Sequence, residues 1–534
     1  MKITKTLAIV LALLVVLTAC GKIADNGDDY DGIEIVLSDE EITVEGEAVS
    51  EDHSEAVYID NDIIYYESGK DFSYGEGTEK DAHTKEEAEA HTVVHITKAG
   101  NYVISGKLSK GQIAVDLGDD VEENPEAVVT LVLNDMDITC EVAPAVIFYN
   151  VYECGDTDAD KAIKDVDTSK AGANVIIADG TVNTVNGSNV EKIYKPESVV
   201  LNEDKTEVED AKKLHKYDGA FYSKMSMNIF GGKDGSGILN INAENEGLDS
   251  ELHLTINGGN INIRSGNDGI NTNEDGVSVT TVNGGTLTIT VTGETGEGDG
   301  IDSNGWLVIN GGKVVSSACS FSADAGIDSD MGIHINGGTV IATGNMLDRI
   351  EEGGQNYAVF NFADKQKDTD ALTFKNADDE ALFEYKAEND YYILIYSNPE
   401  LKEGTYTLWD GENQLAGYSS DMMNMMSGGF KPGGELPEGM TPPDFSNGGE
   451  MPDRPEMPQN GEFPDGQKPQ RGEMPPEGFE VPEGFEFPNG EQPPAWNGVN
   501  MPFEGFSELS GELKKEFEIK AVGNMFSGIT EYTE

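Results

Sequence analysis

Four short stretches of this chain place acidic and amide side chains at fixed distances from a glycine and an apolar residue. Gly247, Gly269, Gly300 and Gly326 stand directly before Leu248, Ile270, Ile301 and Ile327. One residue before each glycine come Glu246, Asp268, Asp299 and Ala325. Two residues after it come Asp249, Asn271, Asp302 and Asp328, and four after it Glu251, Asn273, Asn304 and Asp330. Only Ala325 lacks a side-chain oxygen. Carboxylates stacked in this way repel one another unless a cation lies between them. Ca²⁺ takes about six to eight oxygens in a flexible shell, whereas Mg²⁺ keeps its waters and demands a near-octahedral site. The candidate Ca²⁺ ligands are therefore Asp249, Glu251, Asp268, Asn271, Asp299, Asp302, Asn304, Asp328 and Asp330. Ala325 removes one ligand from any site between the last two stretches. Asp and Asn also suit tight turns and satisfy backbone amides there, so each residue has a structural reading beside the metal one.

Catalytic chemistry is harder to assemble. Elimination on a polyuronate needs a base next to the carboxylate, usually with Ca²⁺ as charge stabiliser. Between residues 227 and 345 the basic residues are Lys233, Arg264 and Lys313, and none recurs in a column. Hydrolysis would need two carboxylates at a defined separation, and the chain offers too many to choose a pair. No Ser–His or Cys–His arrangement stands out, and His253 and His334 read as outward strand positions. Trp306 and Tyr222 could stack on sugar rings, with an edge-of-core role equally open. No residue is singled out for contact with a sugar. The methionine cluster at 421–427 lacks His or Cys neighbours and reads as an apolar linker rather than a soft-metal site.

The elements that must hold the acidic columns are legible as a repeat. Asn-Gly-Gly recurs at Asn257, Asn283, Asn310 and Asn336, at spacings of 26, 27 and 26 residues. Ile256, Val282, Ile309 and Ile335 precede it, and Ile261, Leu287, Val314 and Val340 follow four residues after the asparagine. With Leu248, Ile270, Ile301 and Ile327 these make three apolar columns per repeat, each in a short segment bounded by Gly, Asn or Asp. That pattern predicts an all-β solenoid, a parallel β-helix with three strands per coil. Regularly spaced leucines of a helical repeat are absent. Alternating apolar residues at 91–108, 127–139 and 173–187 extend the strand signal toward the N-terminus. The charged stretches at 155–170 and 189–216 read as loop insertions.

The period ends near residue 350. Residues 351–420 read as a small antiparallel β-domain that caps the last coil, since a solenoid otherwise ends in a free strand edge. Sixteen of the twenty prolines lie between Pro432 and Pro502, so 421–505 reads as a disordered Pro/Gly/Met-rich segment. A short segment, 506–534, follows. At the other end, Lys2 and Lys5 precede an eleven-residue apolar run, Leu7 to Leu17, too short to span a bilayer. Leu17-Thr18-Ala19-Cys20-Gly21 resembles a bacterial lipoprotein signal, which implies cleavage before Cys20 and lipidation of its thiol. Residues 1–20 are thus a signal peptide, 21–85 an acidic spacer, and 86–350 the β-helix. Cys140 and Cys154 are near enough in sequence to form a disulfide, leaving Cys319 unpaired. Scattered cysteines without His partners exclude a zinc site. A formal net charge of −65 excludes a nucleic-acid reader and repels anionic lipid surfaces.

Several stretches resemble one known family. They are "GNYVISGKLSKGQIAVD" at 100–116, "LVLNDMDIT" at 131–139, "APAVIFYN" at 143–150 and "ANVIIADGTVNTV" at 173–185. "DGAFYSK" at 218–224, the coils described above and "YSNPELKEGTYTLWDG" at 396–411 continue the match. The chain is similar here to bacterial cell-surface proteins described as carbohydrate-binding domain-containing. The resemblance implies a right-handed parallel β-helix, pectate-lyase-like in shape, that carries calcium and binds polygalacturonate-type polysaccharide. The expected protein is a monomeric, non-catalytic surface lipoprotein on the extracellular face of the membrane, binding an acidic (pectin-type) polysaccharide with Ca²⁺. Residues 227–345 hold fifteen acidic against three basic side chains, so Ca²⁺ would have to bridge protein and polyanion. A surface adhesion or structural protein with a protein or envelope partner is the main alternative. A Ca²⁺-dependent polysaccharide lyase is the enzymatic one.

Overall fold

Apolar residues at every second position over short, glycine-bounded segments leave the chain one way to bury them: as strands whose inward faces stack. The structure, a computed structural model, describes residues 30–367, 371–420, 512–521 and 523–532. The signal segment with Cys20 and the proline-rich stretch 421–505 lie outside the described residues. The protein is all-β. Among the described residues the single α-helix is Lys85–Glu89, started by a Thr84/Glu87 capping box.

Three parallel ladders run through the repeats. In the first, Thr92–Ile96, Gly111–Asp116, Val146–Asn150, Gly219–Ser223, Glu246–Ser250, Ile270–Thr272 and Ile301–Ser303 pair in succession. The second carries Leu254–Ile256, Val279–Val282, Trp306–Ile309 and Gly332–Ile335. The third carries Asn260–Ser265, Thr286–Val291, Lys313–Ser317 and Thr339–Gly344. Each strand pairs with its counterpart one repeat later, so the three apolar columns read from the sequence become three stacks of touching side chains. All twelve column residues, Ile327 included, are at most 1% exposed. Burying each such side chain contributes about 1.5–3 kcal/mol.

The Asn-Gly-Gly corner between the second and third ladders shows why the glycines recur. The second glycine is left-handed in every repeat, with φ of +92° at Gly259, +83° at Gly285, +79° at Gly312 and +82° at Gly338. A Cβ on Gly312 would also lie 2.8 Å from the Gly285 carbonyl oxygen of the coil below. The asparagines form a ladder of their own: each side-chain amide donates to the one below, at 3.0, 2.9 and 2.8 Å.

The folded region begins earlier than residue 86. Ile33–Leu37, placed in the acidic spacer by sequence, pairs parallel with Tyr102–Gly106, and Ile35 is fully buried. Its apolar alternation is only five residues long and is masked by neighbouring aspartates. Val57–Asp60 pairs antiparallel with Thr92–Ile96 and closes that end of the first ladder. The insertion at 189–216 is not a plain loop: Val190–Tyr194 and Lys213–Tyr217 form an antiparallel hairpin.

At the far end, Tyr391–Ser397 pairs antiparallel with the last third-ladder strand, Thr339–Gly344. Phe360, Phe374, Phe383, Tyr396 and Tyr406 form the aromatic core there. Phe517 and Phe526 join it. Asn524–Glu531 pairs with both Tyr357–Gln366 and Asn413–Ser420, so residues after the proline-rich segment belong to this region and do not stand apart from it. The three cysteines, Cys140, Cys154 and Cys319, are free thiols.

The corner makes a stability prediction. Gly312→Ala imposes a left-handed alanine, which costs about 1–2 kcal/mol, and drives its methyl into the coil below. Its thermal midpoint should fall well below that of Asn283→Ala, which removes two exposed hydrogen bonds and leaves the backbone free. Equal midpoints would show that the corner relaxes.

Candidate functional site

Side chains alternate across a strand, so the residue after each buried member of the first ladder points outward. The register joins these outward residues in one row: His95, Ala114, Ile147, Tyr222, Asp249, Asn271 and Asp302. One half of the row is aromatic or apolar and the other half is carboxylate and amide. The Lys213–Tyr217 strand of the insertion reaches the middle of the row. There the Tyr217 and Tyr222 rings meet at 5.0 Å, and Lys213 lies 3.1 Å from Glu251.

The candidate metal ligands do not form one continuous ladder. Two clusters bring carboxylate oxygens within 4.8 Å of one another: Asp218 with Glu246 and Asp249, and Asp299 with Asp302 and Asp328. Amides occupy the space between carboxylates. The Asn271 amide donates to Glu246 at 3.1 Å, and the Asn273 amide to Asp249 at 2.7 Å. Asp268 is outside both clusters and accepts from the Asp299 backbone amide at 2.6 Å. Asn304 spends its amide on the Asn273 carbonyl and on Asp275, both at 3.0 Å. Glu251 accepts from the Tyr222 hydroxyl at 2.6 Å, and Asp330 is exposed. Asn271, Asn273 and Asn304 thus act as spacers, and Glu251 and Asp268 satisfy local donors.

The two clusters differ in how their charge is met. In the buried first cluster, Lys216 sits 2.6 Å from Asp218. Burial works against the Lys216 charge, but Asp218, Glu246 and Asp249 outweigh it and hold the ammonium above its usual range. No basic side chain pairs with Asp299, Asp302 or Asp328 among the described residues. Burial, then neighbouring carboxylates, push Asp302 up to about 6 and Asp328 up to about 7, and Asp299 well above the carboxylate range.

The donor set fits a hard cation. Glu246 Oε2, Asp249 Oδ2, Asn271 Oδ1 and Asp328 Oδ1 are buried acceptors with no hydrogen-bond partner. An unpaired buried acceptor costs about 1–3 kcal/mol, and oxygen-only donors in these numbers suit Ca²⁺.

Sequence reasoning missed Asp218 and the role of Lys216. Asp218 precedes a glycine, as the other corners do, but the register pairs Gly219 with Glu246, one residue away from the repeat alignment. His253, read as outward, is buried and accepts from the Val279 amide at 3.1 Å through Nδ1. Trp306 is half-buried on the second ladder. Tyr222 is covered by the insertion and so presents no open face to a sugar.

The sequence also missed a cleft of about 420 Å³ at the aromatic end of the row. It lies between the outward faces of Thr92–Ile96, Gly111–Asp116 and Val146–Asn150 and the insertion hairpin. Its residues are scattered from Asp62 to Lys224, with no local motif to announce them.

Stacked parallel ladders with a row of aromatics, amides and acids along one of them define an all-β repeat protein. The chain matches the family described as carbohydrate-binding domain-containing protein over residues 90–157 and 158–379, and it belongs to that family. Among solved structures, the polysaccharide lyase-like protein from C. thermocellum, determined as a gadolinium derivative, aligns at 18% identity. The alignment covers 60% of this chain and 98% of that one, with a TM-score of 0.33. No curated protein matches.

The raised carboxyls set the pH dependence of the chelated protein. Each holds a proton when folded that it has already lost when unfolded, so stability falls as pH rises. For Asp302 and Asp328 the window runs from about pH 4, the unfolded carboxylate value, to about 6 and 7. In excess chelator the thermal midpoint should drop across that window, and Asp302→Asn with Asp328→Asn should flatten the drop. An identical slope in the double variant would contradict the assignment.

Proposed function

We propose that this chain is a non-catalytic surface protein, anchored through a lipid on Cys20, that binds acidic polysaccharide of the polygalacturonate type with the help of Ca²⁺. In this reading the three ladders wind as a right-handed parallel β-helix on the extracellular face of the membrane. The observation that carries it is the convergence of Asp299, Asp302 and Asp328 within 4.8 Å, with no basic side chain paired to any of them among the described residues. A polyanion has no reason to approach such a surface unless a cation lies between. Ca²⁺ held by those three residues would keep open positions for uronate oxygens.

The same geometry favours binding over elimination. Arg264 and Lys313 lie on third-ladder strands, away from the acidic row, and Arg264 faces Glu388 at 3.7 Å. Lys216 does approach carboxylates, but three acids hold it protonated, so it cannot take a proton.

Affinity electrophoresis in polygalacturonate gels tests the reading. Migration should be retarded with Ca²⁺ and restored by a chelator, and Asp302→Asn with Asp328→Asn should weaken the Ca²⁺ requirement curve by at least about tenfold, equivalent to about 1.4 kcal/mol. Unretarded migration with and without Ca²⁺ would refute it. Release of unsaturated products absorbing in the ultraviolet would show an enzyme instead.

A further inference from the structure

The cleft at the aromatic end of the row is unlike the acidic end in every property that matters for recognition. Its walls combine ring faces with fixed polar groups. Tyr149 and Tyr217 meet edge to face at 5.6 Å, and Leu214 at the mouth is 45% exposed. Apolar surface of this kind suits the C–H face of a sugar ring. The polar groups are held in place by one another. His95 Nε2 lies 2.7 Å from Asp62, and the His95 ring stacks on Tyr58 at 4.5 Å. The Asn150 amide donates to Asp116 at 2.9 Å, while its carbonyl accepts from Lys224 at 3.1 Å. His215 Nδ1 lies 2.8 Å from the Tyr217 hydroxyl. The Tyr149 hydroxyl makes no hydrogen bond among the described residues.

Charge selects the kind of sugar. Burial pushes the His215 imidazole below its usual range, which leaves it neutral near pH 7. Asp62 is already met by His95 at 2.7 Å and Asp116 by the Asn150 amide, while the cleft's ammonium, Lys224, meets Glu122 at 3.1 Å. A uronate would add a third carboxylate to a site with no spare cation. Sugar hydroxyls would instead donate to the carboxylates and accept from the histidine, amide and tyrosine groups. A cleft of about 420 Å³ lies within the usual range for small-ligand sites, about 300–1,000 Å³.

We infer that this cleft is a second carbohydrate site, one that takes a neutral pyranose unit and needs no metal ion. It rests on the carbohydrate-binding reading of the chain but not on Ca²⁺. The protein would then grip a heteropolysaccharide at two chemically distinct points, or two different glycans, along one sheet face.

Isothermal titration of the full chain in excess chelator, with cellotetraose, mannotetraose and xylotetraose as probes, tests this directly. At least one should bind. Tyr149→Phe should weaken it about three- to tenfold through the lost hydroxyl, and His215→Ala by more. Both variants should keep the parent's thermal midpoint and its Ca²⁺-dependent retardation in polygalacturonate. Silence from all three probes, binding that the chelator abolishes, or parental affinity in both variants would overturn the inference. Failure of polygalacturonate retardation alone would count against the calcium reading and leave this one standing.

Discussion

Everything in this molecule follows from in-register parallel stacking. Strands about 4.8 Å apart place each side chain directly over its counterpart one repeat earlier, so like sits on like. Inside, that rule is favourable: Ile256, Val282, Ile309 and Ile335 make one dry column. At the corners it is favourable again, because each asparagine amide can donate to the one before and accept from the next. On the outward acidic row the rule works against the fold. Carboxylates one strand apart raise one another's cost, and burial deepens it.

The chain answers that cost in two ways along and beside this row. Asn271 and Asn273 break the run of acids with amides that donate to Glu246 and Asp249. Lys216, delivered by the insertion hairpin, neutralises part of the buried cluster from within. That ammonium bonds Asp218 and leaves Glu246 Oε2 and Asp249 Oδ2 without partners among the described residues, so the charge of this cluster is met only in part from within. Asp299, Asp302 and Asp328 receive neither device. The two clusters, one with its own counter-ion and one without any among the described residues, differ more sharply in this than in their acid count.

The periodic part of this architecture was legible and the aperiodic part was not. Two apolar columns could be read because spacings of 26 and 27 residues bring the same residue types back in one alignment, and the third, spaced 22, 31 and 26, because the same glycine and acid neighbours recur around it. Ile33–Leu37 could not, since one short alternating run among aspartates carries no repeat. Asp218 escaped because a one-residue offset between its glycine and the repeat's glycines hides it from alignment. His253 looked outward by strand parity, yet it sits just before the strand Leu254–Ile256, where parity does not apply. The cleft was invisible for a different reason. Asp62, His95, Tyr149 and Tyr217 meet through three separate coils and an insertion, and nothing local in the sequence ties them together.

The ends of the ladders explain where the uncompensated acids lie. A parallel stack presents a free edge at its last strand, and such edges are templates for further pairing. The third ladder is closed by reversal of direction, with Tyr391–Ser397 antiparallel to Thr339–Gly344. The start of the first ladder is closed the same way by Val57–Asp60. Its other end has no such strand among the described residues. The next coil meets Ile301–Ser303 with a loop, whose Asp328 and Asp330 amides donate to the Ile301 and Ser303 carbonyls at 2.7 and 3.1 Å. The acids Asp302 and Asp328 stand at that seam. A cation held between them would tie the loop to the last strand of that ladder and so finish its edge.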